Sequence, residues 1–171
     1  IIDQYSDQLR LPVAPIAQPI ESENFRPPFA TLEQSVVGQA ILDLLYENTN
    51  QLISLTAKRG RGKTWLLGWL CSQWLSRDQK VAVISSRAAA IQPLFRQTDK
   101  SLSVQNLAFF APDAADFDDS HYQLLIVDEA ASIPIPMLLK LCRAGCHCVL
   151  STTVDGYEGT GQGYLHRLLP E

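Results

Sequence analysis

Residues 57–64 read Ala57-Lys58-Arg59-Gly60-Arg61-Gly62-Lys63-Thr64, and this stretch decides the fold of the chain. It follows an apolar run at 52–55 and precedes a segment rich in Trp and Leu, which gives the order strand, glycine loop, helix. The backbone N–H groups of such a loop and the positive end of the helix that follows it form a cradle for a polyphosphate. Lys63 adds a positive charge for the β- and γ-phosphates, and the Thr64 hydroxyl is a ligand for Mg²⁺. The stretch therefore predicts a phosphate-binding loop (P-loop).

The loop departs from the usual pattern G-x-x-x-x-G-K-[ST] at one position, because Ala57 stands where the first glycine is expected. A basic, glycine-bearing surface turn is the alternative. The cations Lys58, Arg59 and Arg61 serve the phosphates of ATP or RNA in the first interpretation, and are solvated loop charges in the second.

A second segment carries two acids at the end of an apolar run. Residues 124–127 read Leu-Leu-Ile-Val and are followed by Asp128 and Glu129. The run is typical of a parallel strand buried on both faces, and carboxylates at its end are costly unless they meet a cation or water. In a P-loop protein the Asp at this place is linked to Mg²⁺, which is the role we assign to Asp128. Glu129 is then placed to orient or polarise the attacking water. An acidic turn or a helix cap is the alternative.

Strands and helices alternate along the chain. The patterns predict strands near 51–56, 80–85, 104–110, 124–127 and 148–151, and helices near 31–45, 63–75, 87–96 and 134–143. This order favours an α/β fold with a mostly parallel central sheet and helices on both faces. Proline-bearing residues 1–28 are interpreted as an extended arm or interdomain linker, and residues 29–171 as one domain.

Composition sets limits on function. The chain has 171 residues, 46% of them hydrophobic, which fits a folded domain and excludes general disorder. The net charge of -4 gives no global signature of nucleic-acid binding. With no apolar run of membrane-spanning length and no signal peptide, we expect a cytoplasmic protein without a membrane partner. The first residue is Ile rather than Met, so we expect a fragment of a longer protein.

Two clusters have plain structural alternatives. Cys142, Cys146 and Cys148, with His147 between the last two, suggest a zinc site, but buried reduced thiols fit better because no second pair of ligands occurs elsewhere. The aromatic residues of the helix after the P-loop suggest a base-stacking platform, but core packing is the better interpretation for a helix that flanks a sheet.

Three further stretches complete a family signature together with Thr56-Ala57-Lys58-Arg59-Gly60-Arg61-Gly62-Lys63-Thr64-Trp65. They are residues 127–134 (VDEAASIP), Ser151-Thr152-Thr153, and the glycine loop 156–163 (GYEGTGQG). In combination these motifs over residues 29–171 resemble the ATPase, helicase-like module of the tRNA(Met) cytidine acetyltransferases. Ala57 is familiar in that family.

The resemblance implies a RecA-like P-loop NTPase fold and the cofactors ATP and Mg²⁺. It implies a module that couples ATP hydrolysis to RNA handling in an enzyme that forms N4-acetylcytidine at the wobble position of elongator tRNA(Met). Its partners would be that tRNA and the other domains of the same chain. Acetyl-CoA would serve only a GNAT-type acetyltransferase domain, none of which is visible in this sequence.

The resemblance also implies roles for single residues. Gln34 matches a glutamine that reads adenine, although an exposed residue in the first turn of a capped helix is an equal alternative. Thr56 to Trp65 match the phosphate-binding segment. Ser151, Thr152 and Thr153 match the element that senses nucleotide state, with a strand-end turn as the alternative, and Gly156, Gly159 and Gly161 match a mobile loop for coupling or RNA. The family often has Arg where this chain has Gln162, so no phosphate contact is assigned there.

These observations give one principal hypothesis. Thr64 and Asp128 hold Mg²⁺, Lys63 neutralises developing charge, Glu129 orients the water, and an arginine comes from a second lobe or partner. We expect the fragment to bind nucleotide with slow or absent turnover. The alternatives are a stand-alone P-loop NTPase or small kinase, and a non-hydrolysing module in which ATP braces an RNA-binding surface.

Overall fold

A computed structural model describes residues 29, 31–86, 104–114, 117–142 and 145–153 of the chain. The predicted arm 1–28, the predicted helix 87–96 and the glycine loop with Gly156, Gly159, Gly161 and Gln162 lie outside the described residues. Three α-helices are described: α1 (Leu32–Glu47), α2 (Lys63–Leu75) and α3 (Ile135–Cys142). The five described strands are β1 (Leu52–Ala57), β2 (Val81–Ile84), β3 (Leu107–Phe110), β4 (Leu124–Val127) and β5 (His147–Thr153).

The five strands form one sheet in the order β1-β5-β4-β2-β3, and every described pairing is parallel. Two central strands, β2 and β4, are buried along their whole length, as predicted from their continuous apolar runs. The α/β prediction is therefore confirmed, and the arrangement agrees with a RecA-like fold. Strand β5, which joins β1 on one side and β4 on the other, decides the geometry of the site.

Each face of the sheet carries its own core. On one face, α1 and α2 pack through Leu45, Leu67 and Trp74 onto the sheet, and all three side chains are almost fully buried. On the other face, α3 packs through Leu138 against alternate residues of the same strands, such as Leu125. Helices on both faces are thus confirmed. The apolar residues of one strand divide between the two cores because successive side chains point to opposite faces.

The ends of α1 follow the capping signals of the sequence. The Thr31 hydroxyl accepts a hydrogen bond from the backbone N–H of Gln34 at 3.2 Å, which satisfies one of the unpaired donors of the first turn. At the other end, Asn48 Nδ2 donates to the carbonyl of Leu44 at 2.9 Å. The first turn is therefore fixed in place, and this matters because Gln34 reaches the P-loop from it.

Three details differ from the predicted boundaries. Residues 104–106 form a 3₁₀ turn rather than the start of β3, and Asn106 Nδ2 donates to Asp78 Oδ1 at 2.8 Å. β5 continues to Thr153, so Ser151-Thr152-Thr153 belong to the strand and do not form a turn at its end. The start of β5 at His147 is explained by its backbone N–H, which donates to Gln123 O at 3.1 Å ahead of β4.

The cysteines and tryptophans pack as core residues. Cys71, Cys146 and Cys148 are buried, Cys142 is half-buried, and all four are free thiols. Burial raises the pKa of the Cys71 thiol far above its usual value. Phe29 lies between Trp65 and Trp69, with ring centroids 5.3 and 4.7 Å away. Core packing of the aromatic helix is confirmed. Within the described ranges, no helix combines the length and apolar character needed to cross a membrane.

Candidate nucleotide-binding site

The register of the sheet brings the predicted motifs to one edge. Ala57, the last residue of β1, lies opposite Thr153, the last residue of β5. On the other side of β5, Leu150 lies opposite Val127, so Asp128 follows directly beside Ser151. Because all three strands are parallel, the P-loop, the hydroxyl-bearing end of β5 and the acids after β4 emerge together. A ligand site at the carboxyl edge of a parallel sheet is the usual arrangement in α/β proteins.

The P-loop turns at two glycines with positive φ. Gly60 has φ +78° and Gly62 has φ +77°, a left-handed conformation that residues with a Cβ rarely adopt. Gly62 is also the N-cap residue of α2, and a glycine has no side chain that could accept a hydrogen bond from the first N–H groups of the helix. The first backbone N–H groups of α2 are therefore not capped by the Gly62 side chain, as an anion site at a helix start requires.

Lys63, the first residue of α2, is held by the backbone of its own loop. The residue is only 9% exposed, and Nζ donates to Ala57 O at 3.0 Å and to Lys58 O at 3.3 Å. These two carbonyls fix the ammonium beneath the loop. Its positive charge reaches Asp128 and acts to lower the pKa of that carboxyl. Two motifs that are 65 positions apart in sequence thus meet electrostatically across β5.

Asp128 is a buried acid with few compensating contacts. The residue is 3% exposed, and its backbone N–H donates to Ile84 O at 2.9 Å. Burial and then the neighbouring charge of Glu129 raise the pKa of the Asp128 carboxyl, and the Ser151 hydroxyl and Lys63 oppose part of this rise. A carboxylate in this position gains most from a divalent cation, which supplies the charge that the fold lacks.

Glu129 has a strained backbone and a positioned carboxylate. Its φ is +51°, in the left-handed region, and its carbonyl accepts hydrogen bonds from Ser132 N at 2.8 Å and Ser132 Oγ at 2.7 Å. Thr153 Oγ1 donates to Glu129 Oε1 at 3.0 Å. Strain of this kind persists where the surroundings over-determine the conformation, and it concentrates at functional sites. The end of β5 therefore sets the direction of the exposed Glu129 side chain.

A cavity of about 290 Å³ lies between α1, β1 and the P-loop. Gln34 lines it, and its Nε2 donates to Arg61 O at 3.0 Å across the mouth of the loop. Four other lining residues were not predicted from the sequence: Glu33, Val37, Leu55 and Leu66. Val37 lies within the helix predicted near 31–45 and Leu55 within the apolar run at 52–55, and neither pattern distinguishes a pocket residue from a core residue. The cavity has an apolar floor beside a polar loop, which is the usual composition of a small-ligand pocket.

The remaining predicted residues differ in how exposed they are. Thr56, Lys58, Arg59 and Arg61 are exposed around the loop, and Thr64 is half-buried in the first turn of α2. Thr152 is 1% exposed, and its hydroxyl has no hydrogen-bond partner in the part of the chain that the structure describes. Trp65 differs, because its ring packs on Phe29 and does not line the cavity. Its predicted place among the nucleotide contacts stays a prediction.

We predict that Gly62→Ala is more harmful than Gly60→Ala. Both changes force a Cβ into a left-handed conformation, which costs about 1–2 kcal/mol. A Cβ at Gly60 meets nothing within 4 Å, whereas one at Gly62 falls on Gln34 Nε2 and displaces it from Arg61 O. Gly62→Ala should therefore lower the free energy of unfolding by about 1 kcal/mol more than Gly60→Ala does, which is the contribution of one hydrogen bond. Urea unfolding of both variants measures the difference.

The control for this prediction is Gln34→Ala in each background. It should reduce the difference in unfolding free energy between the two glycine variants, because the hydrogen bond from Gln34 to Arg61 O that distinguishes them is already gone. Equal unfolding free energies for Gly60→Ala and Gly62→Ala, with Gln34 present, would contradict the prediction.

Comparison with known proteins places this geometry in a family. Residues 54–171 match the family model described as "RNA cytidine acetyltransferase NAT10/TcmA, helicase domain". The tRNA(Met) cytidine acetyltransferase TmcA of Nitrosococcus halophilus is 34% identical over 184 aligned positions, which cover 94% of this chain and 25% of the relative. TmcA of Salmonella typhimurium is 37% identical over 143 positions, covering 84% and 20%. TmcA of Yersinia pestis is 39% identical over 132 positions, covering 74% and 18%.

The chain therefore spans about a quarter or less of the length of these curated relatives. The family match covers the segment that begins inside β1 and includes the P-loop, Asp128, Glu129 and the end of β5. The resemblance expected from the sequence motifs is confirmed. The chain belongs to the NAT10/TcmA family of RNA cytidine acetyltransferases, and it matches the helicase domain of that family.

Proposed function

We propose that this chain is the ATP-binding and ATP-hydrolysing module of an enzyme that acetylates the wobble cytidine of tRNA(Met). One observation carries the proposal: Lys63 and Asp128 meet across β5, with Glu129 directly after the acid. The names of the relatives, tRNA(Met) cytidine acetyltransferases, support the choice of RNA substrate. Acetyl transfer from acetyl-CoA would take place in another part of the full-length protein.

The residues fit ATP and Mg²⁺. The uncapped start of α2 and the loop amides would bind the phosphates, and Gln34 would read adenine from the cavity beside the loop once it releases Arg61 O. Thr64 and Asp128 would hold Mg²⁺, since a hydroxyl and a buried carboxyl with a raised pKa are oxygen ligands that a cation stabilises. When bound, Mg²⁺ neutralises charge on the β- and γ-phosphates.

The chain's own residues would carry the chemistry as follows. Lys63 stabilises the negative charge that develops on the phosphates, because hydrogen bonds to Ala57 O and Lys58 O fix the position of its ammonium. Glu129, turned by the Thr153 hydroxyl, orients a water for attack. β5 links this carboxylate to the P-loop strand. A change in the phosphates would therefore be transmitted to the rest of the protein through one strand.

The decisive experiment is Glu129→Gln in the full-length protein that contains this chain. We expect MgATP affinity to stay within about threefold, because the side chain keeps its shape, while phosphate release falls by at least about 100-fold. Formation of N4-acetylcytidine in a tRNA(Met) transcript should fall with it. Glu47→Gln, at the exposed end of α1, is the matched control and should have wild-type rates.

Other outcomes of the same experiment identify the alternatives. Normal tRNA acetylation by Glu129→Gln would show that hydrolysis is dispensable and that ATP only braces an RNA-binding surface. Transfer of labelled γ-phosphate to a small molecule rather than to water would indicate a kinase.

Thr153→Val tests the positioning of Glu129 separately from its chemistry, because it removes only the donor to Glu129 Oε1. It should lower kcat about tenfold and leave KM for ATP unchanged.

A further inference from the structure

A second cavity, of about 440 Å³, lies at the amino ends of the strands. It is bounded by the end of α2 and by the residues that lead into β1, β4 and β5. The P-loop leaves the opposite end of the six-residue strand β1. At about 3.3 Å per residue, roughly 20 Å separates the two sites. This second cavity is therefore distinct from the nucleotide site.

One wall of the cavity is a stack of flat groups. The guanidinium carbon of Arg77 lies 3.6 Å from the centroid of the Tyr46 ring, and Tyr46 stacks on Trp74 at 4.9 Å with a 20° interplanar angle. The edge of Trp74 meets His147 at 5.8 Å. Arg77 is exposed and makes no ion pair within the described residues. A guanidinium laid on an aromatic ring offers its outer face to another planar group.

The rest of the described lining is rich in amides. Asn48, Asn50, Gln79 and Gln123 contribute side-chain amides, and no Asp or Glu is among the lining residues in the part of the chain that the structure describes. The side-chain oxygen Oε1 of Gln123 accepts from Lys80 N at 2.8 Å, so the oxygen is engaged and the NH₂ group is the donor that this amide can offer a ligand. Such a lining suits a ligand with several hydrogen-bond acceptors, and it does not repel a phosphate.

His147 adds a donor to the same wall, and Trp74 is buried next to it. His147 Nδ1 accepts from the backbone N–H of Gln51 at 3.3 Å, and burial lowers the pKa of the imidazole. The neutral ring therefore carries its proton on Nε2. Trp74 is 2% exposed, and its indole N–H has no acceptor in the described part of the chain. The Nε2–H group of His147 and the side-chain amides of the lining suit a ligand that brings acceptors.

We propose that this cavity binds an unstacked base of the RNA substrate, with its plane on Arg77 and its edge towards the amides. The inference rests on the proposed function for its RNA. Bases splayed out of RNA stack on guanidinium planes and aromatic rings and are read along their edges by hydrogen bonds. A nucleoside triphosphate is a poor match, since among the described lining residues Arg77 is the one Lys or Arg and Gly145 the one glycine.

The test uses the full-length protein and a fluorescent tRNA(Met) transcript. Arg77→Ala removes both the planar guanidinium and its positive charge, whereas Arg77→Lys keeps a positive charge but has no planar group to stack on a base. Both should weaken tRNA binding about tenfold, the effect of losing one stacked base. Lys140→Ala, an exposed cation on α3 outside the cavity, is the control and should bind tRNA as the wild type does. Thermal unfolding verifies that each variant is folded.

A transcript carrying 4-thiouridine gives a second readout. On irradiation it should crosslink to the peptide containing residues 74–79 in the wild type, and this crosslink should be lost in both Arg77 variants. Wild-type tRNA affinity in both variants would overturn the proposal. So would normal binding by Arg77→Lys alone, because an ionic contact with a phosphate would then account for the loss in Arg77→Ala.

Two results distinguish the site from its neighbours. Hydrogen exchange of residues 74–79 should slow when tRNA is added. MgATP affinity without RNA should be equal in the wild type and both Arg77 variants. Wild-type protein that binds MgATP but no tRNA at all would contradict the proposed function itself, and this site with it.

Discussion

Replacement of Lys63 by alanine should lower the affinity for MgATP by at least about 100-fold, the usual effect of removing a charged partner from a phosphate site. Lys63 is only 9% exposed, and its ammonium donates to two carbonyls of the loop. Its loss therefore removes both the charge and the contact that shapes the loop. It also removes a positive charge that lowers the pKa of Asp128, so that carboxyl becomes still harder to ionise.

Two variants make this prediction specific. Lys58→Ala removes an exposed cation from the same loop and should change affinity less than about threefold. Lys63→Arg keeps the charge, but the planar guanidinium does not fit a space shaped for an ammonium. Its affinity for MgATP should therefore fall nearly as much as that of Lys63→Ala. Isothermal titration with MgATP and with MgADP measures all three. Wild-type affinity in Lys63→Ala would show that the loop does not bind phosphate.

Replacement of Asp128 by asparagine should make the nucleotide-free protein more stable while abolishing its Mg²⁺-dependent hydrolysis. Burial and the charge of Glu129 raise the pKa of the Asp128 carboxyl in the folded state above its value in the unfolded chain. The charged form is therefore disfavoured by folding. We expect a gain of about 1 kcal/mol at neutral pH, of the order seen when a destabilised functional group is removed. Hydrolysis should fall by at least about 100-fold, because the residue that holds the cation is lost.

The pH dependence provides the check on this explanation. An acid whose folded pKa is raised destabilises the fold above that pKa, and the penalty disappears as pH falls through it towards the unfolded value, about 3.9. The advantage of Asp128→Asn should thus be largest at neutral and alkaline pH and should vanish near pH 4. Asp113→Asn, on the exposed surface, should show no such advantage. A less stable Asp128→Asn protein at pH 7 would contradict the argument.

Local patterns predicted the elements that carry the site. The apolar run before Asp128 and the glycines before Lys63 each specify a local conformation, and α2 begins and ends where its pattern indicated. The contact between Thr153 and Glu129 could not be predicted in this way, since it joins residues 24 positions apart whose strands must first pair. The left-handed backbone of Glu129 had no local signal either, because residues other than Gly, Asn and Asp adopt it rarely.

Gln34 shows how tertiary contacts modify a local prediction. The sequence predicted a capped first turn, and the Thr31 hydroxyl does accept from Gln34 N. The direction of the Gln34 side chain was left open between adenine and solvent, whereas its amide in fact reaches Arg61 O. Nothing local determines that choice, because the P-loop is brought beside α1 only when both helices pack on the same face of the sheet.

The position of β5 between the two halves of the site has a consequence for how mutational energies combine. Lys63 is anchored to the strand on one side of β5, and Asp128 follows the strand on the other side. A change to either one alters the field at the other, so their separate effects on ATP binding should not sum in a double mutant. The coupling energy from such a thermodynamic cycle would measure how far two distant sequence motifs function as one unit.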